Sequence, residues 1–263
     1  MSRVRIPAVA GSFYPANPTS LASAVDAMLG DDAPIDVPPP KALIVPHAGY
    51  VYSGPVAASA YRLLRPARTR IRRVVLVGPA HFVPVEGIAT TAADAFATPL
   101  GDVVVDDELR RAILGLPRVL VDDQAHASEH SIEVELPFLQ RVLDAFTLLP
   151  IVVGDARPPE VANVLERVYG GPETLLVISS DLSHYLDYET ATACDRGTAD
   201  VIVARRFEEI APGHACGAAA LCGVLELARR RDLAVRLLDL RNSGDTAGSR
   251  DEVVGYGAFA LGS

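Results

Sequence analysis

Apolar positions along the chain fall into short, nearly unbroken runs, separated by stretches where they recur every three or four residues. Four runs, at 42–46 (ALIVP), 74–78 (VVLVG), 148–154 (LLPIVVG) and 174–179 (TLLVIS), lack the alternation of a half-solvated strand. They read as strands covered on both faces. Runs at 235–240 and 253–261 read as later strands, the first more polar. Between them the pattern predicts helices over 20–29, 55–64, 107–114, 131–145, 159–168, 189–209 and 216–230, with Pro137 expected to bend or end the fourth. Strands alternating with helices predict an α/β fold: a single three-layer α/β/α domain over 1–263 with a largely parallel or mixed central sheet. The Pro-rich stretch 31–40 (DDAPIDVPPP) reads as a linker. It sets off an N-terminal arm, 1–40, expected to pack on the body or lead into it. No internal repeat or low-complexity tract interrupts this plan.

Composition sharpens the picture by exclusion. With 49% hydrophobic and 22% charged residues in 263, a core is well supplied and whole-chain disorder is excluded. Acidic residues number 33 against 24 basic, a net charge of −9. Such a chain has no electrostatic footprint for nucleic acid or anionic lipid. The sole lysine, Lys41, is followed by Ala42, so there is no phosphate-binding GxxxxGK[ST] loop, and Schiff-base chemistry has one possible carrier. Three cysteines without a CxxC pair fit neither a disulfide scaffold, a four-Cys zinc site nor an iron–sulfur cluster held by this chain alone. The apolar run 215–225 is well short of the roughly 18 residues a span needs, and the start lacks a signal-peptide core. The expectation is a cytoplasmic protein with no membrane contact.

The six histidines are not scattered at random. His47 follows the first predicted strand directly, His81 comes three residues after the second, and His184 follows the fourth in Ser179-Ser180-Asp181-Leu182-Ser183-His184. Ligands of open α/β sheets bind beyond the carboxyl ends of strands, so three imidazoles could converge there. Neutral imidazole is a common ligand of Zn, Cu and Fe. Each could equally be a loop side chain satisfied by backbone. Cys216, in His214-Ala215-Cys216-Gly217, is the candidate soft ligand at an expected helix N-terminus, or else a small buried hydrophobe. Cys194 and Cys222 read as core.

Two other arrangements compete. His126-Ala127-Ser128-Glu129-His130 matches the HxxEH zinc-peptidase motif, but Ser128 reads as the N-cap of a helix starting near His130, which leaves His126 in a loop. Ser179 or Ser180 with Asp181 and His184 offers a hydrolytic set, without the G-x-S-x-G elbow.

Six blocks carry a family resemblance: Ala10-Gly11-Ser12-Phe13-Tyr14, Pro46-His47-Ala48-Gly49-Tyr50, Gly78-Pro79-Ala80-His81, Glu129-His130-Ser131-Ile132-Glu133, the Ser179–His184 string and Ala215-Cys216-Gly217. In this order, over nearly the whole chain, they resemble the Memo family, whose prokaryotic members are called AmmeMemoRadiSam system protein B. The resemblance implies a fold similar to class III extradiol dioxygenases, which hold Fe(II) with two histidines and a carboxylate. It places the metal ligands on His47, His81 and, in place of the carboxylate, Cys216. Two further active-site histidines match His130 and His184. Thiolate for carboxylate softens the site toward Cu(I) or a redox-active Fe or Cu centre and away from ring cleavage. The implied function is a His₂Cys metal-binding protein with redox or oxygenase-like activity on an unnamed substrate. His184 would be general base or substrate hydrogen-bonder, Asp181 would orient or charge it, and His130 would donate toward a bound anion or oxygen species. The alternative is a non-catalytic adaptor that binds a peptide or small molecule in the same pocket. The family name also links it to radical-SAM and AMMECR-like partner proteins.

Overall fold

The computed structural model describes residues 3–31 and 37–262. In chain order its strands are β1 (Val4–Arg5), β2 (Ala42–Val45), β3 (Arg73–Pro79), β4 (Ile88–Thr90), β5 (Ala95–Thr98), β6 (Gly101–Val104), β7 (Val119–Val121), β8 (Thr147–Val153), β9 (Thr174–Ser179), β10 (His184–Leu186), β11 (Ala234–Asn242) and β12 (Val253–Gly262). The helices are α1 (Pro18–Leu29), α2 (Tyr50–Tyr61), α3 (Asp107–Ile113), α4 (Asp123–Ala127), α5 (Leu136–Val142), α6 (Pro158–Arg167), α7 (Tyr188–Val203) and α8 (Ala218–Arg230).

The large sheet runs β10-β12-β2-β9-β3-β8-β4-β7, with β11 on the other side of β12. Its heart, β2-β9-β3-β8, is parallel throughout. Antiparallel β12 flanks it on one side and antiparallel β4 on the other. Alternate side chains of the parallel strands enter two separate cores. Leu43, Val45, Val74, Leu76, Leu175 and Val177 join α1, α2 and α5 on one face. Ala42, Ile44, Val75, Val77, Leu176 and Ile178 join α6, α7 and α8 on the other. Both faces are therefore dry, which explains the unbroken apolar runs and gives a three-layer α/β/α arrangement. Each fully buried Leu, Ile or Val contributes about 1.5–3 kcal/mol relative to exposure. No helix among the described residues is long and apolar enough to cross a membrane.

The six anticipated strands form with ends shifted by at most two residues. The helices depart more. α2 starts at Tyr50, ahead of Pro55, which sits inside the helix. Over the expected helix 131–145 a 3₁₀ turn, Glu133–Glu135, leads into the short α5, and Pro137 lies in its first turn, where a missing N–H costs nothing, so it opens the helix and does not bend it. The long helix expected over 189–209 ends at Val203, and Arg205 follows in the left-handed region at φ 58°. A small second sheet, β1-β5-β6, was not anticipated. Of the expected linker, residues 32–36 lie outside the described residues.

Where β3 ends, the backbone comes against the 129–135 segment. A Cβ on Gly78 would sit 2.4 Å from Ser131 Oγ and 2.8 Å from its Cβ. We predict that Gly78→Ala destabilises the protein by about 1–3 kcal/mol in urea unfolding, and that adding Ser131→Gly recovers part of the loss.

Candidate metal centre

Three neighbouring parallel strands deliver the cluster. His47 lies two residues beyond β2, His81 two beyond β3, and Asp181 two beyond β9. Cys216 arrives from the other direction, one residue before Gly217, the N-cap of α8. Any Cβ at Gly217 would lie 2.8 Å from the Ser180 side chain and 3.0 Å from the Ser179 carbonyl, so glycine lets this turn lie against the strand end. One ligand atom each from His47, His81 and Cys216 lies within 4.8 Å of the others. His47 Nε2 is 3.4 Å from Cys216 Sγ.

Both histidines of this group are oriented from behind. His47 Nδ1 is 2.7 Å from Ser179 Oγ, and that hydroxyl donates to Glu135 Oε1 at 3.0 Å. With its proton so used, the serine accepts from Nδ1–H, which leaves the Nε2 lone pair toward the cluster. Tyr61 donates to the other Glu135 oxygen at 2.8 Å. Burial pushes Glu135 up to about 8 against these hydrogen bonds. His81 Nδ1 is 2.9 Å from Glu129 Oε1. Glu129 also accepts the backbone N–H groups of His81, His130 and Ser131 at 2.7, 2.9 and 2.9 Å. Burial works against its ionisation, but these hydrogen bonds overcome it and hold the carboxyl down at about 2. A second donor group, His81, Glu129 and His130, is also close enough for an ion. Glu129 is already saturated with N–H donors, so the His47/His81/Cys216 set is the better fit.

The thiol of Cys216 accepts from the Asp181 N–H at 3.3 Å, and burial pushes it up to about 12. Asp181 accepts the His47 N–H at 2.8 Å, and its carboxylate lies 4.0 Å from His47 Nε2. Burial raises Asp181 to about 7. The expected pairing of Asp181 with His184 is not what the geometry gives. His184 Nδ1 instead donates to the Leu182 carbonyl at 2.8 Å, while Asp181 serves His47 and Cys216. His130 stacks on His81 with ring centroids 4.7 Å apart and meets Phe13 edge-on at 4.9 Å. Its Nδ1 is buried without a hydrogen bond, and burial lowers it to about 4. A cleft of about 790 Å³ opens over the cluster, lined also by Tyr52, Tyr185 and Tyr256.

The competing arrangements do not assemble. α4 ends at Ala127 and Ser128 is its C-cap, not the N-cap expected of it. His126 is buried, edge-on to Phe96, and is not grouped with His130 and Glu129. Ser180 Oγ donates to the Asp181 carbonyl and Ser179 serves Glu135, so neither serine is hydrogen-bonded to His184. His214 accepts the Ala211 N–H at 3.2 Å within its own turn and does not line the cleft. Cys222 is buried as expected, and Cys194 only half-buried. Sequence reasoning named Glu129 and Glu133 only as parts of motifs and did not name Glu135; the supporting role of all three carboxylates was missed, because no local signal marks them as buried.

His126 gives a clean pH prediction. Burial lowers its pKa to about 4 from an ordinary 6.5. Between pH 6.5 and about 4 the unfolded chain takes up a proton that the folded chain refuses, so stability present above 6.5 is lost as pH falls through this window. His126→Phe should remove about 3 kcal/mol of that loss, read as a flatter pH dependence of urea midpoints.

The family model described as Memo-like protein matches residues 5–260. A MEMO1 family protein of Aquifex aeolicus is 39% identical over 97% of this chain and 97% of its own length. One from Archaeoglobus fulgidus is 36% identical over 98% and 99%, and one from Sulfolobus acidocaldarius 35% over 96% and 97%. Among solved structures, uncharacterized protein JW3007 from Escherichia coli K12 aligns with a TM-score of 0.49 at 14% identity, over 82% of this chain and 98% of that one.

Proposed function

Since the chain belongs to the Memo-like protein family, we propose that its strand-end cluster is a non-haem iron or copper centre held by His47, His81 and Cys216, serving redox or oxygenase-like chemistry on a small molecule. One observation carries the reading. Two imidazoles with their Nδ1 atoms engaged from behind, and one thiol, bring their ligand atoms within 4.8 Å of one another. Two nitrogens and a soft sulfur on one side, facing a cleft, fit a redox metal with open positions better than they fit magnesium or calcium.

Bound there, iron or copper would supply one-electron chemistry and Lewis acidity. The chain's own residues do the rest. Glu129 and the Ser179–Glu135 pair fix ring orientation and tautomer, as outer partners of metal-ligating histidines commonly do. His184, with Nδ1–H held by Leu182, keeps Nε2 as a base toward a ligand hydroxyl in the cleft. His130 lines the cleft with its Nδ1 turned inward, 3.5 Å from Glu129 Oε1, so Nε2 is the hydrogen-bonding atom it offers to whatever occupies the cleft, on a ring held in place by Phe13 and His81.

Protein purified anaerobically should carry about one Fe or Cu per chain, by elemental analysis, and lose it in Cys216→Ser and His47→Ala. Wild type that stays metal-free after reconstitution with Fe(II) or Cu(I) would sink the proposal. Glu129→Gln should weaken metal affinity by about 10–100-fold by competition with a chelator.

A further inference from the structure

The cleft above the cluster has a one-sided chemistry. Among the described residues that line it none is Lys or Arg, and the acids Asp181 and Glu252 are present. Asp181 is buried at the floor. Glu252 is exposed at the rim, one residue before Val253, which opens β12 and pairs with Leu186 on β10. No hydrogen bond or ion pair engages the Glu252 carboxylate among the described residues.

The same cleft is lined by aromatic rings, two of them well exposed. Tyr185, on the same strand pair, is 72% exposed and held at φ 58°, at an irregularity between His184 and Leu186. A left-handed backbone is strained for a tyrosine, at a cost on the order of 1 kcal/mol, and such strain concentrates at functional sites. Tyr52, from the first turn of α2, is 39% exposed. Phe13 and Tyr256 continue the aromatic lining inward.

An unpaired carboxylate in a cleft also lined by exposed tyrosines suits an ammonium group, which gains from the ring quadrupole and from the acid. The same rim repels carboxylates, and it lacks the Arg or Lys that anion and phosphate recognition uses. We propose that the cleft takes a small organic amine, its ammonium seated at the rim against Glu252, Tyr52 and Tyr185, and its uncharged, preferably aromatic body directed past Phe13 and Tyr256 toward the histidines. This names a ligand class for the centre proposed above, and rests on that reading only in taking the cleft as the substrate's site.

The test uses two near-isosteric probes of opposite charge, phenethylammonium and 3-phenylpropionate, titrated into the purified full chain by NMR or calorimetry. Phenethylammonium should bind at least about tenfold tighter at low salt, with the preference shrinking as salt rises. Glu252→Gln should weaken it about fivefold and Tyr185→Leu about two- to fivefold, with 3-phenylpropionate unchanged or improved. Both side chains are exposed, so the fold should survive, and circular dichroism checks it. Equal or tighter binding of the anion, a preference that persists in Glu252→Gln, or no binding of either probe at millimolar concentration would overturn the proposal. Metal content measured on the same samples separates the two readings. Metal present without charge preference refutes only the amine; charge preference without metal refutes only the centre.

Discussion

Everything near the cluster depends on keeping three carboxylates out of water. Glu129, Glu133 and Glu135 come from one short segment, and all are buried. A buried carboxylate is tolerable only when hydrogen-bonded or paired, so each must be met by a different part of the chain. Glu129 is met by His81 and by the turn carrying His130. Glu133 takes the Arg5 guanidinium, the Ala8 and Val9 N–H groups and the Tyr14 hydroxyl, which fastens the N-terminal residues to the body. Glu135 takes Tyr61 from α2 and Ser179 from β9. Four regions distant in sequence are thereby registered against one another. The demand also explains the local backbone, since a regular helix would aim residues 129 and 133 along one face.

The result is a site that is rigid beneath and open above. The imidazoles of His47 and His81 both have Nδ1 engaged by neighbouring side chains, so their rings are already ordered. Arg5 adds hydrogen bonds to the carbonyls of His126 and Glu129, so that loop is held from outside as well as within. The upper wall is built differently, from the 243–252 loop and the irregular β10, with side chains such as Tyr185 standing in solvent. A tightly hydrogen-bonded floor under a loop-built rim is a natural division on a layered sheet.

The heart of the sheet was legible because its strands are dry on both faces: the runs of β2, β3, β8 and β9 admit almost no polar residue. The histidines at their ends followed, since topology alone brings neighbouring parallel strand ends together. Short peripheral strands such as β6, with its largely exposed pattern, carry no such run and were invisible. The Pro55 ring suggested a helix start, yet a helix packed against β2 and β12 tolerates it. Asp181 sits close to His184 in sequence, which suggested a pair, but its backbone direction at the end of β9 turns the carboxylate to His47. Burial of Glu133 and Glu135 is a tertiary fact. It depends on Arg5, Tyr14 and Tyr61, none of them within seventy residues.

The place of β2 in the sheet sets a problem for the nascent chain. Its four residues are all buried, and its two neighbours are β9 and β12. The second is made roughly 200 residues later, which at about 5–20 residues per second leaves this apolar strand with an open edge for on the order of ten to forty seconds of synthesis. An unpaired strand edge invites pairing with another chain. α2, which follows β2 directly and packs on one of its faces, can cover that face during the interval but leaves the edge open until β9 and β12 arrive.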